Sequence, residues 1–186
     1  MLKESLDKFV APVYSKVSRT SDTYKTVAGY SAANLTRLVA DYKTVTTDRQ
    51  LMREIRNDID YYLRRYHKYC IEERDGIQAH YHEVGADENC DFEHLIPAAR
   101  IRDLLLCGAI TVTQGLNAPT VRLSHDKHMA LKDAGWASKT PDMWLPFQRY
   151  ANVFTATYTT YDNTQVDPAT WTLEKHYSYF DHLVIL

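Results

Sequence analysis

Apolar residues fall at helical spacing through much of the first half of the chain. In the middle they fall in short runs between turn residues. The first pattern opens with a candidate short helix over Leu2 to Val10, stopped near Pro12. Ser18 to Tyr30 is rich in Ser, Thr and Gly and predicts a connection. From Ala32 to Val45 the spacing of Leu35, Leu38, Val39 and Tyr42 predicts a helix. Thr47-Asp48 then offers an N-terminal cap for a long helix over Asp48 to Asp75. Its apolar stripe is Leu51, Ile55, Ile59, Tyr62, Tyr66 and Tyr69 with Cys70, and Arg49, Arg53, Arg56, Asp60, Arg64 and Lys68 lie opposite.

Beyond Gly76 the pattern changes. His80 to Val84 and Phe92 to Ile96 predict strands, separated by a polar turn at Gly85 to Asn89. Pro97 opens a short helix carrying Ile101, Leu104 and Leu105, which Gly108 stops. The β-branched stretches Ala109 to Thr113 and Thr120 to Leu123 predict further strands. Ser124, followed by Asp126, predicts a capped helix running to Gly135. Trp136 to Pro146 reads as a loop, and Tyr150 to Tyr161 is compatible with a strand. Asp167-Pro168 predicts the start of a last helix through Trp171, Leu173, Tyr177 and Phe180.

Composition narrows the picture. The chain has 186 residues, 45% of them hydrophobic, enough for one cored domain or one domain with an extension. Fourteen tyrosines supply flat apolar faces with polar tips, suited to packing or to contact with bases and sugars. The net charge of −2 gives no general polyanion-binding signature, but it is unevenly spread. Residues 1–85 carry a net +2, whereas 86–135 and 136–186 each carry −2. A nucleic-acid surface would therefore draw on the N-terminal half, with Arg53, Arg56, Arg64, Arg65 and Lys68 as its residues.

Cys70, Cys90 and Cys107 are widely spaced, which excludes a cysteine-rich zinc knuckle and gives no disulfide framework. Charges stand at the N-terminus where a signal peptide needs an apolar core, and no run of 18 apolar residues exists. These features predict no membrane partner and make the cytoplasm the default location.

The candidate chemistry lies in Asp91-Phe92-Glu93-His94-Leu95-Ile96-Pro97 and, later, Leu123-Ser124-His125-Asp126-Lys127-His128. A carboxylate and a histidine end one strand, and a second histidine falls on the first turn of a helix. Carboxylate and imidazole can hold a divalent cation, and a neutral imidazole can take a proton near pH 7. Adjacent strand residues point to opposite faces, so Glu93 and His94 can share a site only where the strand ends or twists.

Residues 90–135 resemble the HNH, or ββα-metal, nuclease family. The family opens on Asp or Glu, then His, two apolar residues and often Pro, as in Glu93-His94-Leu95-Ile96-Pro97. It continues with an Asn-containing loop, a second strand and a helix carrying a metal-binding His or Asn. Here Asn117-Ala118-Pro119 precedes Thr120 to Leu123, and His128 follows the Ser124 cap. Asn117 stands 23 residues after His94, a gap lengthened by the helix expected over Ala98 to Cys107.

The resemblance implies an α+β fold, predominantly helical, with a small ββα-metal core at 86–135. Residues 1–85 would form a helical region and 136–186 an extension packed on the core. It further implies a phage or mobile-element DNA endonuclease that leaves 5′-phosphates and works in the host cytoplasm. His94 would be the general base and Asn117 would orient it. Glu93 and His128 would hold one Mg²⁺ or Mn²⁺ (Ni²⁺ or Zn²⁺ in vitro), and His125 would contact phosphate. RNA as substrate and a homodimer remain open. The alternatives are a non-catalytic nucleic-acid- or protein-binding module on an HNH-like scaffold, and a helical interaction protein in which the motif is accidental. The remaining histidines, His67, His80, His82, His176 and His182, read as packing or surface residues.

Overall fold

The computed structural model describes residues 23–186. The candidate helix over Leu2 to Val10 lies outside them. The fold is mixed α+β, about half helical, around a five-stranded sheet.

Helix α1 (Thr23–Thr44) packs on α2 (Arg49–His67). It begins inside the stretch expected to be a connection. Asp48 caps α2, as the sequence predicts, by accepting the Leu51 N–H at 2.9 Å. The long helix does not stay α-helical to Asp75: after His67 it widens into a π-helical turn, Lys68–Glu72. The buried face of α2 is Ile55, Ile59, Leu63, Tyr66 and His67, whereas Leu51, expected in the stripe, is 46% exposed. Helix α3 (Ala98–Cys107) and the short α4 (Val112–Leu116) close this apolar core. Two ion pairs tie α3 to α2, Arg102 with Asp60 and Arg56 with Asp103.

Helix α4 replaces the strand expected over Ala109 to Thr113. Thr111 accepts the Gln114 N–H at 3.2 Å and the Gln114 side chain accepts the Thr111 N–H at 2.8 Å. This reciprocal cap outweighs the β-branched composition. Gly108 ends α3 at φ +76° and Gly135 follows the helix His125–Asp133 at φ +75°, conformations that a side chain would strain.

The sheet is built from β1 (Tyr81–Glu83), β2 (Cys90–His94), β3 (Thr120–Ser124), β4 (Tyr158–Thr160) and β5 (Gln165–Val166). Its order is β2-β3-β1-β4-β5, with β1 and β3 parallel and the other pairs antiparallel. Strand β2 runs from Cys90 paired with Ser124 to His94 paired with Thr120. Helix α5 (His125–Asp133) leaves β3 directly and packs over β2 and β3. Strand β1, which precedes residue 85, therefore sits in the middle of the sheet.

In the C-terminal stretch Gln148–Ala151 is a helical turn, α6, and only Tyr158–Thr160 of the stretch from Tyr150 to Tyr161 is strand. Helix α7 (Leu173–Tyr179) starts at a Thr172 cap, later than expected, while Asp167 holds a separate turn through Ala169 and Thr170. These pieces form a second core with Leu95, Val121, Leu123, Phe147, Tyr150 and Trp171. Among the described residues no helix is long and apolar enough to cross a membrane.

Candidate active site

Strand β2 ends on Glu93-His94, and its last two side chains leave on opposite faces, as the pleat requires. Glu93 turns toward α5 and α6. His94, the terminal residue, turns toward α2.

On the first face Glu93 Oε2 stands 3.3 Å from His128 Nδ1, and Glu93 Oε1 accepts from Arg149 Nη2. His128 Nδ1 is sealed from solvent and has no hydrogen-bond partner among the described residues. Arg149 is wholly buried, with its guanidinium 5.0 Å from the Tyr150 ring centroid. Desolvation works against its charge, but Tyr150 and Glu93 outweigh that and raise its pKa above the usual arginine value. A buried pair of this kind is costly to break, because removing one partner leaves the other charge uncompensated.

Helix α5 is anchored from outside the motif. Ser124 makes no side-chain cap bond. Glu83 of β1 accepts the Ser124 N–H at 2.9 Å and pairs with Lys127. Although desolvation opposes it, these partners hold the Glu83 carboxyl below the usual carboxylate range. A carboxylate at the helix start favours the dipole and fixes where His128 falls. His125 lies one turn earlier, largely exposed, with Nδ1 2.9 Å from Asp91 Oδ2.

On the second face His94 is 9% exposed, and its Nε2 stands 2.8 Å from His67 Nδ1. His67 Nε2 reaches the Leu116 carbonyl at 3.0 Å. Burial, then the neighbouring His67, Arg64 and Arg149, drives the His94 pKa well below the ordinary histidine value. Burial pushes His67 down to about 4. His94 is therefore neutral at pH 7, as a proton acceptor must be.

Asn117 does not reach His94. Its Oδ1 accepts from His80 Nε2 at 3.0 Å, and its Nδ2 donates to the Phe180 carbonyl at 2.9 Å. The Asn117 carbonyl accepts from His176 Nε2 at 2.6 Å. The end of α4 thus gathers three imidazoles: His67 and His176 on the Leu116 and Asn117 carbonyls, and His80 on the Asn117 side-chain oxygen. The last carbonyls of a helix lack intrahelical partners, which leaves them open to such donors. The side chain that contacts His94 is that of His67, which by sequence alone reads as a packing histidine.

The basic stripe of α2 is not uniform. Arg56 donates to Asp103 at 2.7 Å, and Lys68 pairs with Glu72 and Glu73. Arg65 donates to the Tyr61 hydroxyl and lies over the Tyr30 ring. Arg53 and Arg64 are exposed, and Arg64 is close enough to depress both His67 and His94.

Among the described residues no three His, Cys, Asp or Glu side chains are grouped to hold a metal ion. Glu93 and His128 nevertheless fit a two-donor site, because the His128 nitrogen is buried, unpartnered and beside a carboxylate oxygen. Water and phosphate oxygens would complete the shell of a hard cation. Arg149 escapes sequence reasoning because its partners are distant along the chain; only its setting among aromatic residues marks it. Glu83 carries no sequence signal that separates it from a surface carboxylate. No family model, curated protein or solved structure matches this chain.

Proposed function

We propose that the chain is a divalent-metal-dependent endonuclease of HNH type, hydrolysing phosphodiester bonds in DNA. The observation that carries this reading is Glu93 Oε2 standing 3.3 Å from the buried Nδ1 of His128, with no hydrogen bond formed between them; His94 leaves the opposite face of β2 and would reach the same phosphate only around the strand's end. The antiparallel pair of β2 and β3, followed directly by α5, supports the reading, although α3 and α4 are inserted between the two strands.

In this reading Glu93 and His128 would hold one Mg²⁺ or Mn²⁺. A cation bound there would neutralise charge on the phosphate and on the leaving oxygen. His94 Nδ1 takes a proton from the water that attacks phosphorus; the new P–O bond forms as the bond to the leaving oxygen breaks. Arg149 holds Glu93 in place through its guanidinium. Arg64 beside the base, and Arg53 further along α2, contact phosphates and supply the grip that the acidic segment 86–135 lacks.

The test is a supercoiled-plasmid assay with the full chain in Mg²⁺, Mn²⁺ or EDTA. Nicking or linearisation in either metal, abolished by EDTA, is expected. No cleavage in any metal would overturn the reading.

A second reading is favoured by one observation: Arg149 already neutralises Glu93 from within the protein. In that case the scaffold binds nucleic acid or protein without cutting. DNA binding without cleavage, and without saturable metal uptake, would favour it.

A further inference from the structure

We propose that His67 is the positioning residue of this site: it fixes His94 in the tautomer that carries its hydrogen on Nε2, leaving Nδ1 as the basic nitrogen. The inference rests on the reading of His94 as the general base, but its geometry stands apart from that reading.

Hydrogen-bond logic sets every proton in the chain of contacts. The Leu116 carbonyl can only accept, so His67 Nε2, 3.0 Å away, must carry a hydrogen. A neutral imidazole carries one ring hydrogen, so His67 Nδ1 bears a lone pair. His94 Nε2, 2.8 Å from that lone pair, must then donate. His94 Nδ1 is left as the acceptor. It makes no hydrogen bond among the described residues. This order requires a neutral His67, and full burial beside exposed Arg64 keeps it so. A protonated His67 would present two donors and reverse the order.

The placement of His67 is specific. It is the last α-helical residue of α2, and the π turn starts immediately after it. Its acceptor is the last residue of α4, whose carbonyl has no helical partner. The two imidazoles meet with ring centroids 4.9 Å apart, tilted by 59°. Two helices distant in sequence therefore converge on one ring nitrogen of His94.

The experiment combines nitrogen NMR of the imidazoles with cleavage kinetics, on the full chain and two variants. In the wild type, His94 should show a protonated Nε2 and an unprotonated Nδ1. His67→Gln keeps an acceptor for His94 and a donor for Leu116 in one amide, and should preserve that tautomer. His67→Leu removes both, and His94 should then exchange between tautomers. Cleavage by His67→Leu should fall in kcat by about 10–100-fold with KM unchanged, in line with losses of outer-shell partners. His67→Gln should stay within about threefold of wild type.

A wild-type His94 protonated on Nδ1 would overturn the proposal, as would a folded His67→Leu with an unaltered His94 tautomer. If His67→Leu does not fold, the wild-type spectrum and His67→Gln still decide. A wild type with the expected tautomer that cuts nothing overturns the nuclease reading and leaves the positioning of His94 by His67 standing.

Discussion

The two faces of β2 solve the burial of polar groups in opposite ways. Toward α5 and α6 the solution is charge: Glu93 is held by a wholly buried Arg149 and stands beside His128. Toward α2 the solution is neutrality: His94, His67 and the Leu116 carbonyl share hydrogen bonds with no formal charge. A charged face can hold a cation and a neutral face can hold a base. Because they leave opposite faces of β2, one phosphate can meet both only around the strand's end, where His94 is the last residue.

The largest effect should come from the neutral face. His94→Ala should cut cleavage by about 10²–10⁴-fold, the usual loss for a general base, while leaving metal uptake intact. Single-turnover rates at saturating Mn²⁺ measure it. Cleavage within about threefold of wild type would remove His94 from the mechanism and collapse the contrast between the faces.

The charged face should answer in stability. Arg149→Met leaves the Glu93 charge in a desolvated position, and the expected loss is about 3–5 kcal/mol in urea unfolding. Millimolar Mn²⁺ should restore part of it, because a cation can replace the guanidinium. A variant as stable as wild type would mean that the pair is not energetically buried.

Acid should separate the faces further. Burial keeps His67 down at about 4, His176 at about 3 and His80 well below 6.5, so all three are neutral when folded. Unfolded, they take up protons near pH 6.5. Their depressed folded values make stability complete above about pH 6.5 and progressively lost as the pH falls through 4 toward 3. Each contributes a slope of about 1.4 kcal/mol per pH unit between about pH 6.5 and its own folded value, so that of His67 ends near 4 and that of His176 near 3. Flat stability from pH 7 to 5 would contradict the neutral network.

The smallest effect belongs to the outer surface. Arg53→Gln with Arg64→Gln should lower the log–log salt slope of DNA binding by about 0.9 for each phosphate no longer neutralised, with little change in stability. Arg56→Gln should instead cost stability through Asp103. An unchanged slope in the double variant would make the stripe a solvated face.

Local signals were the legible ones. The Asp48 cap, the Ile55–Ile59 stripe and the stop at Gly108 each depend on neighbours within one or two turns, whereas the start of α5 after Ser124, expected from a cap, is held by the distant Glu83. Glu93 and His128 also meet, as the strand-then-helix pattern anticipates. Long-range partnerships stayed hidden. His67 owes its role to a carbonyl 49 residues away, and Asn117, expected on His94, is engaged by His80 and Phe180. The strand expected over Ala109 to Thr113 fell to a capping box ending at Gln114, a local signal masked by β-branched residues. The π turn after His67 shifts the long helix in a way that apolar spacing does not foretell.

The most direct test of the cation site is calorimetric titration of Mn²⁺ into the full chain. One ion per chain is expected in the wild type, in His94→Ala and in His125→Ala. Affinity should be strongly weakened in Glu93→Ala and in His128→Ala. The absence of saturable binding in the wild type would contradict the site, as would binding that depends on His125 and not on His128.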